Sequence, residues 1–379
     1  MSARFLTVVL ERVFNMHDRF GREIDYMRIS VIDSCNLNCY YCNPQDNNKN
    51  CQAINTLSVK KVLCIVRAAT RLGITHFRLT GGEPLLHPQI DEMVSQIKKI
   101  PGVRSVSLTT NAVLLAQHAK QLKEAGIDSI NVSLDTIDAS EYEHITKKPL
   151  LDKVEHGIDA AIECGIRVKI NVVLTPQTDV VALTRYASKK GTDIRFIEMM
   201  PVGEGHTNGV EPYKKVIGTL SELYGEPYRV NTGKTKEINS GYNKYKEERK
   251  NPDNGPAEYY SFHGLDIRVG LIQAIHGKFC DTCNRIRVTA DGRLMPCLGS
   301  SVTMDLVPDS CEFTDDLKKD FVIVQALKAA IKAKPGCHNF NDNAVTYTKT
   351  TETKATEIKT TELKAAEVNA ARNMSRIGG

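Results

Sequence analysis

The sequence predicts an α/β protein built on a partial (β/α)6 barrel of the TIM type, followed by a C-terminal α+β extension. Six apolar, strand-like segments alternate with amphipathic, helix-like segments over about 170 residues, and the alternation stops beyond Pro201. Alternating strands and helices indicate βαβ units and a parallel sheet. Six units suit an open barrel better than a closed eight-stranded one.

The predicted strands are short runs rich in apolar and β-branched residues. They cover Met27–Ile32, His76–Thr80, Ser105–Thr110, Ser129–Leu134, Arg167–Leu174 and Asp193–Glu198. The predicted helices carry apolar residues at helical spacing. They cover Thr56–Leu72, Ile90–Ile100, Leu114–Glu124, Val154–Cys164 and Val180–Lys189. In the extension we expect a helix over Lys214–Tyr224 and strands within Tyr259–Gly270 and Arg285–Pro296.

Composition divides the chain into three parts: the barrel (1–204), the extension (205–340) and a repetitive tail (341–379). Within the tail, TKTTE TKATE IKTTE LKAAE repeats every five residues. That period matches neither a helix nor a strand, so no continuous apolar face can form. We therefore expect a solvated tether, which ends in Gly378-Gly379.

Composition also narrows the class of protein. No stretch approaches the roughly 20 apolar residues of a membrane helix, and the N-terminus lacks a secretory pattern. A formal charge of +5 is too small to argue for nucleic acid. Eleven cysteines cannot all pair, and six of them fall into two tight groups. In a reducing compartment such groups favour metal ligation over disulfides, so we expect a cytoplasmic metalloprotein.

The first cysteine group is Cys35-x3-Cys39-x2-Cys42, directly after the first predicted strand. In parallel α/β folds, sites form at this edge of the sheet. Three thiolates can hold three irons of a 4Fe–4S cluster and leave the fourth iron open to a small molecule. The alternative is a zinc site completed by Cys51 or a remote histidine, although zinc sites usually use C-x2-C pairs and four ligands.

This triplet resembles the signature of the radical S-adenosylmethionine (SAM) superfamily. The second predicted strand ends in Thr80-Gly81-Gly82-Glu83-Pro84, which is similar to the GGEP motif of that superfamily. The resemblance implies a radical SAM barrel in which SAM binds at the open iron. It also implies the residues that line the SAM site: Tyr41, Gly82, Ser133 and Met200.

The second group is Cys280-x2-Cys283-x13-Cys297, which in isolation suits zinc as well as iron. Two three-cysteine groups in one chain resemble the GTP 3′,8-cyclase family of molybdenum cofactor biosynthesis. The segment 279–287 (FCDTCNRIR) carries this resemblance best, and the terminal Gly-Gly agrees with it. The resemblance implies a second 4Fe–4S cluster, whose open iron binds the guanine base of GTP.

Several cations stand on strand faces where apolar residues would be expected. Arg28, Arg78 and Lys169 each alternate with apolar neighbours, which directs them to one side, plausibly the barrel interior. Buried cations require anionic partners, and arginine suits phosphate oxygens. Family resemblance implies that these three, with Thr109, Arg285 and Arg287, contact GTP, and Arg195 is a weaker candidate. The alternative is ion pairing with acidic residues; many family members also carry lysine where His76 stands.

The resemblance implies radical cyclisation of GTP to (8S)-3′,8-cyclo-7,8-dihydroguanosine 5′-triphosphate, the first step of molybdenum cofactor biosynthesis. No catalytic acid, base or nucleophile is predicted. The implied partners are an external electron donor and the next enzyme of the pathway, and a homodimer is compatible. Two alternatives stay open: a peptide-modifying radical SAM enzyme, and a zinc- or cluster-bearing nucleic-acid binder or electron carrier. An aromatic content of 6% argues against the nucleic-acid binder.

Overall fold

The computed structural model describes residues 16–42, 54–202, 209–230, 255–300, 303–306, 316–338 and 340. Its strands are β1 (Tyr26–Ser30), β2 (His76–Thr80), β3 (Ser105–Thr110), β4 (Ser129–Ser133), β5 (Val168–Val173), β6 (Asp193–Ile197), β7 (Tyr228–Val230), β8 (Glu258–Ser261), β9 (Val269–Ile272), β10 (Arg285–Val288), β11 (Arg293–Met295) and β12 (Met304–Asp305). Its α-helices are α1 (Val59–Thr70), α2 (Ile90–Lys98), α3 (Leu115–Glu124), α4 (Ala139–Thr146), α5 (Leu151–Glu163), α6 (Val180–Lys189), α7 (Thr219–Tyr224) and α8 (Asp316–Lys332).

The described strands form one sheet in the order β12-β11-β10-β1-β2-β3-β4-β5-β6-β9-β8-β7. Strands β1 to β6 are parallel and adjacent in sequence order, which confirms the six predicted βα units. Strand β10 continues the parallel arrangement beside β1, and β9 does so beside β6. The extension therefore widens the barrel sheet at both ends. The predicted boundary at 204/205 falls outside the described residues.

The two faces of the barrel strands differ in polarity, as their period-two alternation predicted. Met27 and Ile29 of β1, like Phe77 and Leu79 of β2, are fully buried in the apolar core that the helices cover. The alternate residues, Arg28 and its neighbours in register, face the barrel interior. Burying the aliphatic face against the helices orients the polar face inward.

The extension contains more elements than the sequence pattern indicated. Tyr259–Gly270 was predicted as strand but supplies parts of two antiparallel strands, β8 and β9. Arg285–Pro296 likewise contains the hairpin β10–β11, whose turn uses Gly292 at φ +83°. Lys214–Tyr224 contains a π-helical turn (Tyr213–Gly218) before α7. Helices α4 and α8 were not predicted.

Helix α8 packs against α1, and Arg71 Nη2 lies 2.9 Å from Asp320 Oδ2 between them. This docking brings the chain that follows α8 to the second cysteine group. Among the described helices, none combines the length and apolarity that crossing a bilayer requires. The repetitive tail, Cys51 and Cys311 lie outside the described residues.

Candidate active site

The first cysteine group occupies the loop that follows β1, at the carboxyl end of the parallel strands. Backbone hydrogen bonds tie this loop to its surroundings. Gly82 N–H donates to Ile32 O (2.8 Å), Glu83 N–H to Ser34 O (2.8 Å) and Asn38 N–H to Thr146 O (3.0 Å). The GGEP segment and the end of α4 therefore hold the loop from two sides.

Gly82 is required by the chain itself. A Cβ at this position would lie 2.2 Å from Ser34 O and 2.7 Å from Asp33 O, and both are backbone atoms. The sequence predicted that this glycine allows a ligand to approach the backbone closely. In the structure, the backbone that precedes Cys35 also fills the space that a side chain at position 82 would need. Gly82 also lines the cavity described below.

Glu83 joins the ends of β2 and β3 and was not predicted as a site residue. It is 1% exposed. Its carboxylate accepts hydrogen bonds from Leu85 N–H (3.0 Å), Thr110 Oγ1 (2.7 Å) and Asn111 N–H (2.7 Å). Burial raises the pKa of Glu83 to about 7. The acidic residue in the GGEP motif was the signal that could have identified it.

The cysteines of the first group differ in exposure: Cys35 is exposed, whereas Cys39 and Cys42 are half-buried, and protein atoms surround all three sulfurs. Leu37 N–H donates to Cys35 Sγ at 3.4 Å, and Asn111 Nδ2 lies 3.7 Å from the same sulfur. Burial raises the pKa of Cys35 to about 11 and that of Cys42 to about 12, and repulsion from Cys35 adds to the rise at Cys42. Burial and repulsion from Cys42 raise the pKa of Cys39 further. Cationic iron would offset both the burial and the repulsion, so this donor set fits a cluster.

Tyr41 is held by an acidic residue that the sequence argument missed. Its Oη donates to Asp135 Oδ2 at 2.5 Å, while Asp135 Oδ1 accepts the backbone N–H of Val173 at 2.7 Å. Burial raises the pKa of Asp135 to about 6, and burial beside Asp135 raises the pKa of Tyr41 well above its ordinary value. Its position just beyond the end of β4 was the sequence feature that could have identified Asp135 as a site residue.

One cavity of about 530 Å³ opens at the carboxyl ends of the barrel strands. It brings together both cysteine groups, all four residues predicted for SAM and five of the six predicted for GTP. These lining residues are Cys35, Cys39, Cys42, Cys280, Cys283, Cys297, Tyr41, Gly82, Ser133, Met200, Arg28, Arg78, Thr109, Arg285 and Arg287. Tyr26, Asn131 and Asn171 line it as well, and the strand alternation could have revealed them.

Three arginines stand side by side across neighbouring strands. Arg28 pairs in register with Arg78 on β2 and with Arg287 on β10. Like charges in register repel. Burial and the charge of Arg287 hold the pKa of Arg28 well below its usual range, and burial with repulsion from Arg285 lowers that of Arg287 to about 10. An anion in the cavity would relieve this repulsion.

Other polar atoms in the lining have no hydrogen-bond partner among the described residues. They are Arg78 Nε, Arg195 Nη2, Thr109 Oγ1 and Asn131 Oδ1, each buried from solvent. Arg195 donates from Nε to Asn171 Oδ1 at 2.9 Å, which leaves the rest of its guanidinium toward the cavity. Buried donors and acceptors of this kind favour a polar ligand that pairs with them.

Lys169 and His76 do not line the cavity. Lys169 is 0% exposed, and burial, with repulsion from Arg195, lowers its pKa to about 5. On β5, Lys169 lies in register with Asn131 on β4 and with Asp193 on β6. The family-based expectation that Lys169 contacts GTP stays a prediction. His76 Nδ1 lies 2.7 Å from Ser105 Oγ, and its ring stacks on Tyr26.

The second cysteine group spans a 3-10 turn (Cys280–Thr282) and the end of β11. Arg22 Nη1 donates to Cys280 O (2.7 Å) and to Gly336 O (3.0 Å), which joins the turn to the chain beyond α8. Burial would raise the pKa of Cys283, but Lys334 and Arg285 hold it below its ordinary value. Burial raises the pKa of Cys280.

Within the described ranges, no three Cys, His, Asp or Glu side chains converge closely enough to hold a single metal ion. Cys51, which the zinc alternative names as a fourth ligand, lies outside those ranges. A 4Fe–4S cluster takes one thiolate per iron, so its ligands need not meet at one point.

Two family models match the chain in succession. Residues 29–183 match the radical SAM superfamily, and residues 192–340 match the molybdenum cofactor synthesis C-terminal family. The second match includes all three cysteines of the second group, so both cysteine groups fall within recognised families.

Curated relatives are similar to this chain over most of its length. A GTP 3′,8-cyclase of Clostridium perfringens is 35% identical over 86% of this chain and 95% of its own length. One of Clostridium acetobutylicum is 36% identical over 88% of this chain and 98% of its own. In fold, the chain is similar to SuiB of Streptococcus suis, solved with SAM bound, with a TM-score of 0.53, 15% identity, and coverage of 80% of this chain and 65% of SuiB. The chain therefore belongs to the GTP 3′,8-cyclase family of radical SAM enzymes, whose membership implies a 4Fe–4S cluster and SAM.

Proposed function

We propose that this protein cyclises GTP to (8S)-3′,8-cyclo-7,8-dihydroguanosine 5′-triphosphate, the first step of molybdenum cofactor biosynthesis. Family membership supports the reaction. The observation that carries it to this chain is the row of Arg78, Arg28 and Arg287, in register on three adjacent strands and facing a cavity that both cysteine groups also line. The alternatives drawn from the sequence have no comparable observation in their favour.

Cys35, Cys39 and Cys42 would hold the first 4Fe–4S cluster, and Tyr41, Gly82, Ser133 and Met200 would surround SAM. When bound, the cluster and SAM supply a 5′-deoxyadenosyl radical that abstracts hydrogen. The protein contributes position: Asp135 fixes the Tyr41 hydroxyl, and Glu83 ties β2 to β3 beneath the cysteine loop.

Arg28, Arg78, Arg285, Arg287 and Thr109 would bind the triphosphate, because guanidinium groups pair with phosphate oxygens through two parallel hydrogen bonds. The second cysteine group, with its cluster, would hold the guanine base. Fixing GTP at both ends brings the ribose C3′ and the guanine C8 together, and such positioning supplies much of the rate enhancement.

Lys169 is the sixth residue that family resemblance implies in contact with GTP. Burial and repulsion from Arg195 lower its pKa to about 5, so its amine is neutral in the free protein at neutral pH. The negative charge of a bound triphosphate would favour the protonated form and add a further cation to the arginine row.

The partners follow from the proposed chemistry. Each radical cleavage of SAM consumes an electron, so an external electron donor is required, and a following enzyme would take the product. We propose a cytoplasmic location, because two closely spaced cysteine groups favour metal ligation over disulfides in a reducing compartment. A homodimer stays a prediction.

The test is anaerobic reconstitution with iron and sulfide, followed by incubation with reductant, SAM and GTP. We expect about eight irons per chain, 5′-deoxyadenosine and a cyclised GTP product. As a control, the Cys35→Ala variant should hold about four irons and form neither 5′-deoxyadenosine nor cyclised GTP, while GTP still binds. Formation of 5′-deoxyadenosine from SAM without any cyclised GTP would contradict the proposed substrate.

A further inference from the structure

Lys334 is a buried lysine two residues beyond the end of α8. It is 2% exposed, although lysine is among the residues least often buried. Its Nζ donates to Arg285 O at 2.8 Å and to Pro296 O at 3.0 Å. Among the described residues no Asp or Glu pairs with it. A buried ammonium without a carboxylate requires another source of negative charge.

The two carbonyls that Lys334 binds flank the second cysteine group. Arg285 follows Cys283 by two residues, and Pro296 immediately precedes Cys297. The Lys334 ammonium also lies within electrostatic range of the Cys283 sulfur. An ammonium group has three N–H donors, and the two carbonyls use two of them. Lys334 thus ties both cysteine-bearing segments to one point and faces the cavity they share.

The first cysteine group has the opposite electrostatic surroundings. The charged side chains beside its sulfurs are the carboxyls of Glu83 and Asp135. Beside Cys283 of the second group, the charged side chains are instead the cations Lys334 and Arg285. Nearby charge and hydrogen bonds to the sulfurs set the potential of an iron–sulfur cluster. The two sites therefore differ in the charge the protein offers.

We propose that Lys334 is a positioning residue of the second cysteine group, holding the Cys283 and Cys297 segments together and compensating the charge of their cluster so that this cluster is more readily reduced. The inference rests on the proposed function, because it requires the second cluster. It assigns to the segment after α8 a role at the cluster that its sequence pattern did not reveal.

The test compares three variants of the full-length, reconstituted protein. Lys334→Gln keeps a hydrogen-bond donor and loses the charge, whereas Lys334→Arg keeps the charge. The control, Lys332→Gln, removes one positive charge at an exposed position two residues away from Lys334. Iron is counted, and each cluster is titrated by potentiometry with EPR detection. A Cys35→Ala/Cys39→Ala/Cys42→Ala background identifies the signal of the second cluster.

For Lys334→Gln we expect at least a tenfold loss in the equilibrium constant for reduction of the second cluster, which is 59 mV for one electron. The first cluster should titrate unchanged, and Lys334→Arg and Lys332→Gln should stay close to wild type. Loss of iron from the second group in Lys334→Gln, restored in Lys334→Arg, would equally support the assignment.

An unchanged potential in fully loaded Lys334→Gln would overturn the inference, as would loss of the second cluster in both Lys334 variants, since the charge would then be irrelevant. These results differ from failure of the proposed function. In that case the wild-type protein itself would hold about four irons or leave GTP unconverted.

Discussion

Replacing Gly82 with alanine should prevent assembly of the first cluster while sparing the second. The new Cβ would stand 2.2 Å from Ser34 O and 2.4 Å from Ser34 C, both in the backbone. No side-chain rotation can relieve that overlap, so the strand end and the cysteine loop must separate by about 1 Å to restore ordinary contact. The loop that carries Cys35 would then be displaced.

The separation would break or stretch two backbone hydrogen bonds of 2.8 Å, from Gly82 to Ile32 and from Glu83 to Ser34. Each buried group left unpaired costs about 1–3 kcal/mol, so we expect about 2–5 kcal/mol of lost stability. The matched control is Gly218→Ala, because nothing lies within 4 Å of a Cβ there and its backbone is helical. Alanine at that site should be neutral or stabilising by up to about 1 kcal/mol.

The assay is iron content with EPR of each cluster, together with thermal unfolding of the apoprotein. Gly82→Ala should fall from about eight irons to about four and unfold at lower temperature, while Gly218→Ala should match wild type on both. A Gly82→Ala protein with a full iron content and wild-type unfolding would refute the reasoning that the cysteine loop, and not only a ligand, needs this glycine.

Three further predictions concern the charged groups of the cavity. Arg28→Met should raise the thermal stability of the apoprotein, because it removes the repulsion between Arg28 and Arg287. The same change should weaken GTP binding about 10- to 100-fold, which corresponds to the loss of one hydrogen bond to a charged group. Scanning and titration calorimetry measure the two effects. Lys169→Met should stabilise the apoprotein by about 1–4 kcal/mol, because burial that lowers the pKa of the lysine to about 5 makes the side chain costly to keep there, and an apolar group removes that cost. It should also weaken GTP binding, and an unchanged affinity would show that Lys169 does not contact the ligand. Burial raises the pKa of Glu83 from 4.5 to about 7, so the folded state binds the proton more tightly than the unfolded state does. Protonated Glu83 therefore contributes up to about 3 kcal/mol to the free energy of unfolding. This contribution is present below pH 4.5 and is lost as the pH rises to 7. Glu83→Gln should flatten that part of the curve of unfolding free energy against pH, and an unaltered slope would contradict the assignment.

The local patterns of the sequence were sufficient for the barrel strands. His76–Thr80 and Ser105–Thr110 were predicted with their observed bounds, and Val180–Lys189 was predicted as the helix it forms. These segments carry strong apolar periodicity, and their neighbours along the chain are also their neighbours in the sheet. The extension was predicted less well because its strands are only two to four residues long, too short for a periodicity to emerge.

The same difference applies to the site. The spacing within each cysteine group is a property of the sequence, as is the alternation that directs Arg28 and Arg78 to one face. Pairing of β10 with β1 sets Arg287 level with Arg28 from 259 positions away, and docking of α8 brings Lys334 onto the second cysteine group. The residue pattern within one strand or helix shows which side chains share a face, because the local backbone geometry alone sets the direction of each side chain. Which distant faces meet depends on strand register and helix packing over the whole chain, so only the tertiary structure could decide that both cysteine groups and the arginine row enclose one cavity.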